Sequence, residues 1–298
     1  MGYELLKMKT KADELNDYTF TFYYYRLKLL ILSLHEWDGL PNFIKSKWIE
    51  KYLIEKGEFM YFDSAYGNMV AKLTKVDLNA YDEPILLYPN ATNYVDSKAY
   101  ENGKEAVLIQ NNDLGLSCEH EIIMFAQRLA EITRAQDVNI NAQKTPILIL
   151  CNDKQKLTMK NVYAQYKGNE PVIFGAKTGE FDGITAIKTD APIVFDKLQL
   201  QKHQVLNEFL TFFGINNANQ DKKERLVADE VSANNDSVMC FAETMLKARK
   251  QACEEINRIF GTNISVRRKT LNIEDLRALI EDTDLLNDSE GSSEKEVI

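Results

Sequence analysis

Cysteine is scarce and unpaired in this chain. Its four residues, Cys118, Cys151, Cys240 and Cys253, include no C-x-x-C pair, which argues against both a zinc ribbon and a disulfide framework. Cys118 and His120 stand two apart, but no second ligand pair follows at finger-like spacing. Four reduced thiols in a cytosolic setting are expected, with no metal and no cofactor. Histidine is rarer still, with three residues, His35, His120 and His203, in separate segments. The sequence contains no G-x-x-x-x-G-K-[ST], no G-x-G-x-x-G, no G-x-S-x-G and no H-E-x-x-H, so no motif supports catalysis. The neighbours His35 and Glu36 are a poor dyad, because adjacent positions of a helix point apart. A long hydrophobic run is also missing. The most apolar stretch, "YTFTFYYYRLKLLILSLHEW", is broken by Arg26 and Lys28 and falls short of the roughly 20 residues a membrane span needs. No signal peptide and no internal repeat are visible, and no membrane is expected as a partner.

What is present is ample core material, 45% hydrophobic residues in 298, under a net charge of −9. That acidity argues against a generally adhesive nucleic-acid binder, while leaving room for local basic patches. An aromatic helix is expected from about Leu15 to Trp37, ending at "DGLP", where Gly39 and Pro41 disfavour continuation. From Phe43 to Asp113 the pattern shortens, and "GEFMYFD", "NMVAKLTKV", "EPILLYP" and "EAVLIQNND" read as strands of a small β-rich unit. Apolar residues at 122, 125, 126, 129 and 132 then form a helical stripe, with Glu119 and Glu121 in its first turn.

"TPILILCND", "LTMKNVYAQYKG", "EPVIFG" and "GITAIKT" give a βαββ insert before a second long helix. That helix is expected to start at "TDAP", with Asp190 as the cap and Pro192 in the first turn. Phe195, Leu198, Val205, Leu206, Phe209 and Phe213 form its apolar stripe, and Lys197, Gln201, Gln204 and Glu208 a polar one. A polar stretch from Asn217 to Asp236 separates it from a third helix ending at Phe260, far longer than the usual two to eight residues between helices. A strand "NISVRR", a helix near Asn272 and an acidic tail from Glu281 complete the chain. The tail has seven acids against one lysine and is expected to lack a fold of its own. The fold class is α+β. From Gln143 to Glu180, six lysines oppose three acids, a local reversal of sign. It reads either as an ordinary lysine-rich surface or as a contact for an acidic partner such as RNA.

Five strings occur in order: "HEWDGLP", "NAQKTPILI", "VYAQYKGNEPVIF", "KTDAPIVFDKL" and "KKERLVADEVSANN". Together they resemble the upper collar, or head–tail connector (portal), proteins of small short-tailed bacteriophages, in register from about residue 18 to 280. The resemblance implies a portal-type subunit, with long stem helices around a channel, a β-rich wing and a small βαββ clip, assembled as a homododecameric ring. It divides the chain into an N-terminal region (1–41), wing (42–115), first stem helix (116–142), clip (143–190) and second stem helix (191–214). A channel loop (215–236), wing and crown elements (237–280) and the acidic tail (281–298) follow.

The implied function is a conduit for double-stranded DNA at the unique capsid vertex, during packaging and ejection. The implied partners are the chain itself, viral DNA, major capsid and scaffolding proteins, a packaging ATPase, a packaging RNA, and the lower collar or tail protein. The implied location is the virion, with the host cytoplasm during assembly. Lys188 and Lys197 correspond to the family's channel lysines, and Lys222, Lys223 and Arg225 are the cations of the loop. The family's basic N-terminus is diluted here, since Lys7, Lys9 and Lys11 alternate with Glu4, Asp13, Glu14 and Asp17. RNA or motor contact is therefore expected instead at Lys154, Lys156, Lys160 and Lys167 of the clip. The alternative is a small oligomeric nucleic-acid-binding protein without a portal ring. Stacking aromatics among the loop cations would favour it, and residues 217–236 contain none.

Overall fold

In the computed structural model, residues 11–90, 98–143, 147–151, 172–176, 183–186, 192–215 and 228–269 are described. The elements fall into two units. One comprises residues 1–19 and 128–205, the other residues 20–127 and 206–298.

The larger unit is built on a five-stranded antiparallel sheet. Its strands are β2 (Glu58–Ser64), β3 (Gly67–Leu78), β4 (Pro84–Asn90), β5 (Tyr100–Glu101) and β6 (Ala106–Gln110), in the order β5-β4-β3-β2-β6. Strand β2 shows why the sequence takes this form. Side chains alternate across a strand, and here both faces are covered. Phe59 and Tyr61 enter one core with Val107 and Ile109, while Met60 and Phe62 enter another with Ala71, Leu87, Tyr100 and Ala106.

The first of these cores is closed by two helices, α2 (Ser46–Lys56) and the long helix that ends at Phe260. α2 is a helix that the run of strand-like segments concealed. Its residues Ile49, Leu53 and Ile54 are fully buried, together with Glu50. β1 (His35–Asp38) and β10 (Ser265–Arg268) add a two-stranded ribbon pairing Trp37 with Val266.

That ribbon corrects the N-terminal reading. α1 spans Lys11–Leu32 and stops before "HEWD", which is a strand rather than the end of a helix. The backbone groups of these residues find partners in β10, a pairing over 200 positions away that no local propensity reveals. Gly39 ends the ribbon at φ 76° against the backbone of Asn263, where a Cβ would overlap. The expected helix stop is thus a strand stop.

α3 (Glu119–Gln143) matches the expected helix, and its stripe Ile122, Phe125, Ala126, Leu129 and Ile132 is buried. Glu119 accepts hydrogen bonds from Tyr24 Oη and, at 3.0 Å, from Lys28 Nζ, which also reaches Glu55 at 2.7 Å. Burial alone would lower the Lys28 ammonium pKa, but the bonds to Glu55, Tyr24 and Glu119 outweigh it and hold the group charged.

The smaller unit contains a three-stranded sheet, in the order β8-β7-β9, formed by β7 (Ile147–Cys151), β8 (Val172–Ala176) and β9 (Gly183–Ala186). β7 is parallel to β8 and antiparallel to β9. A parallel neighbour requires a crossover connection. The helix expected at "LTMKNVYAQYKG" falls between β7 and β8, outside the described residues. α4 (Phe195–Phe212) begins later than the cap reading placed it. Val194, not Asp190, supplies the first helical carbonyl, which accepts from Leu198 N at 3.0 Å. Asn139 of α3 holds this start at both ends of its amide: Nδ2 donates to Pro192 O at 2.9 Å, and Oδ1 accepts from Val194 N at 3.2 Å. Pro192 is therefore outside the first turn.

The last helix, α5 (Ala228–Phe260), begins well before the expected start after Asp236. The polar stretch "ADEVSANND" is helical, so the interhelical segment ends at 227 rather than 236. Apart from Val231 and two alanines the stretch is polar in sequence, which is why hydrophobic periodicity missed these turns.

Candidate functional site

Of the residues singled out in the sequence, Lys197 is described. Lys188, Lys222, Lys223, Arg225, Lys154, Lys156, Lys160 and Lys167 lie outside the described residues. Lys197 sits in the first turn of α4, exposed, and makes no ion pair among the described residues. Gln201, Gln204 and Glu208 are exposed beside it, as the polar stripe predicted. Behind them, Gln136 of α3 is buried and donates to Gln199 Oε1 at 2.9 Å, and Gln199 Nε2 lies 2.9 Å from His203 Nε2. The apolar stripe is buried at Val205, Phe209 and Phe213, but Phe195 is 38% exposed. Its neighbours Ile193 and Leu200 are 75% and 60% exposed, and Val138 and Ile140 of α3 are exposed as well.

In the larger unit, the far end of α4 is fixed with care. Phe125 meets Phe209 edge-on at 5.4 Å, and Phe209 and Phe213 lie 4.9 Å apart. The helix closes in a Schellman turn: Ile215 N donates to Leu210 O at 2.7 Å and Gly214 N to Thr211 O at 2.9 Å. Gly214 has φ 66°, and a Cβ there would overlap the backbone of Ala242 in α5. Arg268 Nη2 donates to the carbonyls of Phe213 and Gly214 at 2.7 and 2.9 Å, placing a cation at the negative end of the helix. The point where the chain leaves α4 is therefore locked, immediately before the segment carrying Lys222, Lys223 and Arg225.

Sequence reasoning missed a second set of charges. Glu50 of α2 and Arg249 of α5 are both buried and bonded bidentately, Nε to Oε1 at 2.9 Å and Nη2 to Oε2 at 2.8 Å. Arg249 also donates to Asn111 O, Asn111 Oδ1 and Met245 O, each at 3.0 Å. Trp37 Nε1 donates to Glu50 Oε1 at 2.8 Å. Burial would raise the Glu50 carboxyl pKa, but the Arg249 guanidinium outweighs it and holds the group well below the usual carboxylate range. His35 Nδ1 lies 3.3 Å from Glu50 Oε2, without the alignment of a hydrogen bond. Burial and the Arg249 charge push His35 down, so the ring is neutral. The adjacent Glu36 is not its partner. It pairs instead with Arg267 at 2.6 Å.

The described thiols are equally enclosed. Burial pushes both Cys118 and Cys253 up to about 12, away from thiolate chemistry. No described helix is long and apolar enough to cross a membrane.

A profile of the family described as Phage Connector (GP10) matches residues 4–272. Among solved structures, a chain from the portal and tail of native bacteriophage P68 aligns with a TM-score of 0.51 at 14% identity, covering 97% of this chain and 100% of that one. A chain from the virion of a native gene transfer agent particle aligns at 0.47 and 9% identity, covering 100% and 94%.

Proposed function

The chain belongs to the phage connector family, and from that premise we propose how its residues serve a conduit for DNA. It is a portal, or head–tail connector: a structural component of the phage particle that assembles with capsid and tail components. We assign α3 and α4 to the stem of a homododecameric ring, the β7–β9 sheet with its connections to the clip, and the five-stranded sheet to the wing.

The observation that carries this reading is the surface of α4. One face is polar and exposed, with Lys197 near its start making no ion pair among the described residues, while exposed apolar residues of α3 and α4 need cover. A neighbouring copy in a ring covers the apolar residues and leaves the polar face to a common hole. Lys188 and Lys197 then form sparse cationic rings, joined by Lys222, Lys223 and Arg225 in the segment between α4 and α5. Each lysine–phosphate contact adds to the salt dependence of DNA binding, with a slope near −0.9 per contact, and a ring multiplies every such contact. A conduit is served by few of them, because a densely basic wall would hold the duplex. The acidic net charge of −9 fits that requirement.

The interhelical segment, anchored at Gly214, acts as the obstruction to DNA slipping back. The clip lysines Lys154, Lys156, Lys160 and Lys167 face the packaging ATPase and a packaging RNA, and the chain performs no catalysis itself. Light scattering and negative-stain imaging test the ring directly. A closed assembly of about a dozen 34.2 kDa chains is expected, and a monomer or dimer without a pore overturns it. Deleting residues 218–227 should preserve the ring and impair retention of packaged DNA, and normal retention argues against the obstruction.

A further inference from the structure

We propose that the lysine-flanked surface around Trp48, with the cavity beside it, is the docking site for this chain's own acidic C-terminal segment, residues 281–298. Trp48 in the first turn of α2 is 47% exposed and Phe43 is 64% exposed. Lys47 and Lys51 each place Nζ 5.3 Å from the Trp48 ring centre. Lys72 of β3 lies 4.8 Å from the ring centre of Tyr52, which stacks on Phe59 at 4.9 Å. Among the described residues no carboxylate pairs with Lys45, Lys47 or Lys72, and Lys51 reaches only Glu55 at 4.0 Å. Ammonium groups held over aromatic faces are favoured by the ring quadrupole, and those of Lys47 and Lys72 have no carboxylate partner among the described residues. Next to them is a cavity of about 530 Å³ between residues 37 and 47, lined by Trp37, Leu40, Pro41 and Ile44 together with Lys45, Lys47 and Asp38, whose carboxylate lies 3.5 Å from Arg267 Nε. A surface of this kind fits an anionic peptide that carries an apolar anchor.

The chain supplies such a peptide. Residues 281–298 hold seven acids and one lysine, and the pair Leu285–Leu286 lies between Asp284 and Asp288. The described chain ends at Lys269, whose N–H donates to Leu34 O at 2.9 Å. That point adjoins β1, and the cavity residues begin within β1 at Trp37. Fifteen residues separate Lys269 from Leu285, a reach of up to roughly 50 Å at about 3.3 Å per residue. Tethering raises the effective concentration of the segment, so a handful of weak charge pairs suffices. A single-stranded nucleic acid would also meet the lysines and stack on Trp48, but it carries no aliphatic side chain to set against Leu40, Pro41 and Ile44 in the cavity. The peptide uses both.

The chain has two tryptophans, and Trp37 is buried, so acrylamide quenching of the full-length protein reports mainly on Trp48. Neutralising the segment by Asp282→Asn, Asp284→Asn and Asp288→Asn should increase quenching about twofold at low salt, and high salt should do the same to the unaltered chain by screening. Lys47→Glu with Lys51→Glu should match that increase. Adding Asp284→Lys and Asp288→Lys to the Lys47→Glu, Lys51→Glu variant should restore protection, which a damaged fold could not do. Quenching unchanged by the asparagine substitutions, or a charge swap that fails to restore protection, overturns the proposal. So does a short single-stranded DNA that shields Trp48 of the unaltered chain while the asparagine variants behave normally. Light scattering of each variant separates this result from any change in ring assembly.

Discussion

Glu50 and Arg249, 199 positions apart, meet as a bidentate pair sealed inside the larger unit. The pair joins α2 to α5, and it is completed by Trp37 on the carboxylate and Asn111 on the guanidinium. Two desolvated charges are tolerable only because nearly every donor and acceptor is used.

Glu50→Gln should therefore destabilise the chain by about 3–5 kcal/mol, because it leaves Arg249 charged and buried without its counter-ion. The double variant Glu50→Gln, Arg249→Met should recover part of that loss. Urea unfolding of the unaltered chain, Glu50→Gln, Arg249→Met and the double variant checks both statements, and additive losses would mean that the two residues are not coupled.

Acid should weaken the fold in two stages. His35 is held below its ordinary value, so as pH drops through about 6.5 the unfolded chain takes up a proton that the folded chain refuses. The stability contributed by neutral, buried His35 is lost on that acid side, at no more than about 1.4 kcal/mol per pH unit for one proton. Glu50, also depressed, adds a second decline as pH falls below about 4.3, where the unfolded carboxyl protonates first. Melting temperatures of His35→Gln across pH 7 to 5 should be flatter than those of the unaltered chain.

Gly214→Ala should cost at least about 1 kcal/mol, because the position requires a positive φ and has no room beside Ala242. Chemical denaturation measures the loss. Pairing it with Ala242→Gly should not recover the loss, since the overlap with the Ala242 backbone and the positive φ both remain and a glycine inside α5 costs about 1 kcal/mol more.

Lys197→Ala should leave stability within about 0.5 kcal/mol, as expected of an exposed side chain. If Lys197 faces DNA, packaging by assembled particles should change its salt dependence. An unfolded or unassembled Lys197→Ala protein would place the residue in subunit packing instead.

Strong periodicity made α3 legible residue by residue, because Ile122, Phe125, Ala126, Leu129 and Ile132 face a core. The strands β2, β3, β4 and β6 were marked by alternation and by turn residues. β1 was hidden because "HEWD" is extended only in the company of β10. The first turns of α5 were hidden for the opposite reason, since their residues carry no apolar stripe. The exposed polar face of α4 could be read directly, and its place in the family came from the five ordered strings. The Glu50–Arg249 pair could not, because nothing in "WIEKY" or "KARKQ" says which charge turns inward. The lysines around Trp48 left a trace, positions 47 and 51 on one helix face, that gains meaning only beside β3 and the 37–47 cavity.

At about 1.5 Å per residue, α5 is a rod of roughly 50 Å, and Arg249 lies some 32 Å along it from Ala228. Gly214 touches the same rod at Ala242, seven positions short of the arginine. A sideways push at its leading end is thus met by a bearing and then a clamp, the arrangement of a cantilever. Leu246, set in the core against the sheet, and Arg249 on Glu50 share the load beyond that bearing.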